Sequence, residues 1–107
     1  MKIIPINKNN IPYFIDIDFR GIEYRMGFKY NSFSDTFTVD LYFLGDPIIL
    51  GEPIVAGSLL FYDYPNLLIP PVSIAPLTTG DSINKIGWDN FGDTVNLFVF
   101  GDNDVAI

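Results

Sequence analysis

The sequence predicts an all-β chain, a small antiparallel β-barrel or β-sandwich with little or no helix. Three observations carry this expectation. Apolar and polar residues alternate with period two through most of residues 11 to 44. Prolines at 47, 53, 65, 70, 71 and 76 exclude long helices and long central strands from the second half. No stretch combines helix caps with an apolar period of 3.6 residues. The 107 residues are expected to form a single domain, 1–107, because a chain of this length has no room for a second core.

Taken in order, residues 1–10 read as an N-terminal edge segment, in which Met1 to Ile6 adds a strand broken by Pro5. In IPYFIDIDF the odd positions Ile11, Tyr13, Ile15, Ile17 and Phe19 are apolar, while Asp16 and Asp18 face the other way. After Arg20-Gly21 the phase changes, and Ile22, Tyr24, Met26, Phe28 and Tyr30 become the apolar set. A two-residue loop at Arg20-Gly21 pairs Phe19 with Ile22, Ile17 with Tyr24, Ile15 with Met26 and Tyr13 with Phe28. The opposite face then sets Asp16 against Arg25 and Asp18 against Glu23, a mild conflict that Arg20 can relieve. The turn NSFSD leads into TFTVDLYF, with Phe37, Val39, Leu41 and Phe43 on one face.

The second half changes character. GDPIILGEPIVAG (45–57) nearly repeats six letters, but two copies are too few to stack as a solenoid. The echo reads as two proline turns, the second of which can equally be a bulge. PNLLIPPVSIAPL (65–77) is apolar yet proline-rich, so it should run extended, partly polyproline-like, and cannot hide both faces. Thr94 to Phe100 alternates as a closing strand, and residues 101–107 form an acidic tail.

Composition narrows the function. Histidine and cysteine are both absent, which removes disulfides, thiol nucleophiles, histidine bases and ordinary zinc sites. The net charge of −7 comes from thirteen acids against six bases, and Lys85 is the only base beyond residue 29, so nucleic acid and anionic membrane are poor partners. The N-terminus has neither the apolar run nor the cleavage site of a signal peptide. Apolar residues make up 49% and aromatics 16% of the chain, and mean hydropathy is +0.28. A domain of this size hides only about two thirds of the surface its unfolded chain exposes. Some of this apolar surface is therefore expected to be covered by other protein.

Candidate chemistry is sparse. Asp16 and Asp18 share a strand face, and Asp81, Asp89 and Asp93 lie near Trp88, but paired carboxylates need a cleft and separated pKa values to act as acid and base. GDNDVAI has the Asp-x-Asp start of a calcium loop without its glycine or terminal glutamate. The glycines precede no helix, and the serines have no base to activate them. No catalytic, cofactor-binding or metal-binding residue is expected. The alternative to a structural subunit is a carbohydrate-binding or adhesion module using Trp88 and exposed tyrosines such as Tyr62 and Tyr64, which a buried Trp88 indole would count against.

The order of features carries more than any one of them. FTVDLYF (37–43) is followed by a turn with PIILG, by further glycine and aliphatic residues, and finally by GWDNFGDTVNL (87–97). This succession, spanning residues 11 to 100, resembles the small baseplate plug proteins of contractile-tailed phages, which are all-β chains of about this length. The resemblance implies a non-enzymatic structural subunit in the virion tail baseplate, assembled in the host cytoplasm. Its partners would be the hub, spike and tube-initiating proteins near the tail tube, and it leaves open a homo-oligomer in the virion. It supplies no catalytic residues. The docking surface expected from the residues themselves is the proline-stiffened segment Leu67, Leu68, Ile69, Pro70, Pro71 and Val72, which loses less conformational entropy on binding than a flexible one.

Overall fold

The computed structural model describes residues 2–62, 70–78 and 85–100, together with the backbone of 105–106. Eight strands run in chain order: β1 (Lys2–Ile4), β2 (Tyr13–Phe19), β3 (Ile22–Asn31), β4 (Thr36–Phe43), β5 (Asp46–Pro53), β6 (Ser73–Thr78), β7 (Val95–Phe100) and β8 (Val105–Ala106). The only helical turn among the described residues is a short 3-10 turn, Lys8–Asn10. The strands form two antiparallel sheets, ordered β5-β4-β3-β2-β8 and β1-β7-β6. One buried cluster draws on both, including Met26, Phe28 and Leu41 from the first and Ile4, Leu97 and Val99 from the second. This is the sandwich rather than the closed barrel.

The β2–β3 hairpin has the register that its alternation dictates. Tyr13, Ile15, Ile17 and Phe19 lie opposite Phe28, Met26, Tyr24 and Ile22. Arg20 and Gly21 both take positive φ, 54° and 84°, as a two-residue turn matched to strand twist requires. Asp18 accepts the Gly21 N–H at 2.6 Å, which turns its carboxylate toward the turn and softens its opposition to Glu23. On β4, Phe37, Val39 and Leu41 are buried in the core. On the outer face Gly27 lies opposite Phe14, whose ring covers the space a side chain would fill.

The second half sharpens the reading from sequence. Asp46–Pro53 is one continuous strand, not two short pieces between turns. It tolerates Pro47 and Pro53 because it is an edge strand. The first expected turn is real, made by Leu44 and Gly45 at positive φ. The second is the bulge: Gly51 has φ +74° and the β4–β5 register shifts between Val39 and Leu41.

A further feature concerns 65–77, which runs extended as expected where it is described. Its end, Ser73–Thr78, is a strand paired with β7, and Ile74, Ala75 and Pro76 are buried in a row. Ser73 and Leu77, which share the face of Ala75, stay exposed. The Leu60 N–H donates to the Ile74 carbonyl at 2.8 Å along the edge of β6. Val105–Ala106 of the acidic tail pairs with Asp18 and Phe19 of β2, as a strand rather than a free tail at that point.

Candidate functional site

The expected docking segment lies only partly within the described residues. Leu67, Leu68 and Ile69 fall outside them. Pro70 is buried, Pro71 is exposed and Val72 is half-buried against the core. The described end of the segment is thus anchored, with Pro71 the residue that faces outward.

The GWDNFGDTVNL segment is built differently from the sheets. Asn90 ties it into a compact turn: its Oδ1 accepts the Gly87 N–H at 2.9 Å, and its Nδ2 donates to the Lys85 carbonyl at 2.9 Å. The Phe91 N–H donates to the Gly87 carbonyl, and the Val95 N–H to the Asn90 carbonyl. Phe91 and Val95 enter the core.

This turn is clamped onto the β3–β4 hairpin by Asp35. One carboxylate oxygen, Oδ1, accepts both the Tyr30 hydroxyl at 2.6 Å and the Trp88 N–H at 2.9 Å, and Lys85 Nζ lies 3.5 Å from Oδ2. These donors hold the Asp35 carboxyl below the usual aspartate range, the Tyr30 hydrogen bond foremost. The same bond raises Tyr30 above the usual phenol range. A Cβ at Gly87 would collide with Asp35 Oδ2, so the close approach needs glycine.

Trp88 is 37% exposed, yet its indole is occupied. Phe37 stacks against it with an interplanar angle of 13°, Tyr30 packs at 5.0 Å, and the Lys8 ammonium lies 5.2 Å over the ring. Lys8 Nζ also donates to the Trp88 carbonyl. The indole packs between hairpin and loop, and Trp88 also lines an open groove with Ile11, Pro12, Lys29 and Tyr30. Of the tyrosines named with it, Tyr62 is exposed and Tyr64 lies outside the described residues.

Of the carboxylates weighed for chemistry, Asp16 and Asp18 are engaged in structure. Asp16 accepts Arg25 Nε at 2.8 Å, and that bond lowers its pKa, the opposite of what a general acid needs. Asp18 is committed to Gly21. Asp89 and Asp93 are exposed, and Asp81 lies outside the described residues. Among the described residues no group of three or more metal-ligating side chains comes together.

Two residues have roles that the sequence reading did not give them. Asp40, on the outward positions of β4, is 1% exposed. It accepts the Gly51 N–H at 2.7 Å and pairs with Lys29 at 2.8 Å, so it holds the β5 bulge in place. Its bond raises the Lys29 pKa. Alternation alone marks Asp40 as solvated. The bulge that buries it had only one sequence signal, the second glycine of the echo. Phe33, at the tip of the β3–β4 turn, is fully exposed, and its apolar character within a polar turn was the signal available.

What this surface offers is contact. Exposed apolar side chains stand at Phe14, Phe33, Leu44, Leu50 and Tyr62, and the charged groups around them are mutually paired or solvated. Against known proteins, the family described as cyanophage baseplate Pam3 plug gp18 matches residues 1–102. The chain belongs to this family. No curated protein and no solved structure matches it. Membership of the plug family makes the chain a non-enzymatic structural subunit of the phage tail baseplate that works through protein–protein contacts. Its place is the virion tail baseplate.

Proposed function

We propose that this subunit sits near the central hub, among the hub, spike and tube-initiating proteins, and helps keep the tip of the tail tube closed until contraction. Assembly takes place in the host cytoplasm before the tail is complete. The observation that carries this reading is the family match across nearly the whole chain, 1–102. The exposed apolar side chains support it, since they are the kind of surface that other protein covers.

Within that reading, Leu67 to Val72 is the docking segment. Pro70 and Val72 anchor one end of it to the core while Pro71 faces outward, which limits the entropy lost on docking. Replacing Leu68 and Ile69 together with Asp is expected to abolish incorporation into tails, scored by detecting the protein in purified particles, while the isolated chain keeps its melting temperature. Incorporation at the unaltered level would sink the assignment.

A further inference from the structure

We propose that Leu60 and Phe61 form a strained strap across one open side of the sandwich, latched by the Glu52 carboxylate, and that this strap opens as a unit while the two sheets stay folded. The device does not depend on where in the baseplate the protein sits.

The strap joins two free edges. β5 is an edge strand of the larger sheet and β6 an edge strand of the smaller one. Past β5 the Ile54 N–H still donates to the Phe37 carbonyl. The chain then turns back, with the Ser58 N–H donating to the Val55 carbonyl and Gly57 at φ +80°. The return carries two consecutive amides to two different sheets. The Leu60 N–H donates to the Ile74 carbonyl of β6 at 2.8 Å, and the Phe61 N–H donates to Glu52 Oε2 of β5 at 2.8 Å. Both side chains are buried in the core.

Backbone strain sets this stretch apart from an ordinary loop. Of the described non-glycine residues with positive φ, Arg20, Asp35 and Leu44 belong to hairpin turns, and none of the three is buried. Phe61, at φ 63°, is 2% exposed and lies between strands of different sheets. A bulky side chain in the left-handed region is held there by its surroundings, against its own preference. Here the apolar interior takes the ring and one carboxylate oxygen takes the amide.

Strain and release act in the same direction. Letting go of Glu52 allows Phe61 to return to negative φ, so the broken bond is partly offset by relaxation. The residues on either side, Leu59 and Tyr62, are exposed. A short stretch with exposed flanks and one amide tied to each sheet belongs to the part of a fold that opens locally, ahead of global unfolding.

Opening changes what the β6 edge can do. Leu60 and Phe61 line a hollow of about 290 Å³ together with Pro70 and Val72. Lifting the strap widens that hollow and bares the Ile74 carbonyl, a backbone acceptor that a strand from another chain can use. Closed, the strap keeps this acceptor occupied.

Amide hydrogen exchange on the purified chain, followed residue by residue by NMR, tests the strap. In the unaltered protein Leu60 and Phe61 are expected to share one protection factor, lower by about tenfold or more than those of Met26 and Phe28 in the central strand β3. Glu52→Ala is expected to lower the protection of both strap amides together, by about tenfold, the scale of a hydrogen bond to a charged group. Leu60 is the deciding amide, because its acceptor is Ile74 and the mere loss of the Glu52 bond would not reach it. Strap amides as protected as β3 in the unaltered chain would show that the stretch opens only with the whole fold. That result, a Glu52→Ala effect confined to Phe61, or no effect on either amide each overturns the proposal.

Discussion

The β2–β4 meander and the Lys85–Val95 turn reach the same core by opposite means. The meander is held by apolar pairs repeated every second residue, Tyr24 to Phe43, Met26 to Leu41 and Phe28 to Val39 across β3 and β4. Each pair resembles the next, so the loss of one leaves the others in register. The turn is held by single polar atoms: Asn90 Oδ1 and Nδ2 within it, and Asp35 Oδ1 reaching it from the hairpin. Repetition gives tolerance, whereas dependence on one carboxylate gives none. The strongest effects should therefore arise where the two regions meet, and the effects of equal chemistry should diverge according to region.

Phe37 is that meeting point. It belongs to β4, yet its ring packs on Tyr30 at 4.7 Å, on Phe91 at 4.7 Å and on Trp88 at 6.0 Å. Phe37→Ala is expected to cost about 3–5 kcal/mol of stability, read from chemical denaturation, since it opens a cavity shared by both regions. The intrinsic fluorescence of the single Trp88 should shift red in the same variant. A cost below about 1 kcal/mol would mean the two regions are not coupled through this ring.

Next in size comes one substitution made twice. Neither Gly27 nor Gly87 has a positive φ, so alanine at each is a question of space alone. At Gly27 the added carbon meets the ring of Phe14, an exposed side chain that can swing outward. At Gly87 it meets the Asp35 carboxylate, which cannot move without releasing Trp88 and Tyr30. Gly87→Ala is expected to cost about 2 kcal/mol, the scale of hydrogen bonds to a charged group, and Gly27→Ala less than about 1 kcal/mol. Equal melting temperatures for the two variants would erase the distinction between the regions.

The same contrast explains what could be read from the chain. The hairpin register was legible because period two is local: Asp16 opposite Arg25 follows from counting outward from Arg20-Gly21. The Asp35–Trp88 bond joins residues 53 apart, and no spacing rule connects a turn aspartate to a backbone amide at that distance. Asp40 misled for a related reason, since alternation assigns it to solvent, while the Gly51 bulge brings a backbone N–H to its carboxylate. The segment Ser73–Thr78 was underrated because proline was read as a bar to pairing. At a sheet edge, Pro76 needs only its carbonyl and can be buried. The contact surface was the least legible part. Phe33 and Leu44 sit in turns where apolar residues break no periodicity; an apolar letter in the polar turn NSFSD hints at Phe33, and exposure in the folded chain marks both.

The smallest expected effect is also the one that separates charge from shape in the clamp. Asp35→Asn keeps an oxygen for the Tyr30 hydroxyl and the Trp88 N–H but removes the charge that Lys85 faces. At neutral pH it is expected to lower the melting temperature less than Gly87→Ala, which displaces the oxygen itself. Its clearer signature lies in pH. Because the folded state holds the Asp35 carboxyl below its unfolded pKa, its stabilisation is fully present above the ordinary aspartate range. That contribution is lost as pH falls through the lowered folded value, where the carboxyl takes up a proton and releases its donors. Tyr30 runs the other way: raised in the folded state, it contributes below the ordinary phenol range and loses that contribution as pH rises through its folded value. Asp35→Asn should therefore flatten the stability profile at both extremes, leaving the acid slope due to Asp16 and Arg25. A variant whose acid and alkaline slopes matched those of the unaltered chain would show that oxygen geometry, not charge, holds the loop to the hairpin.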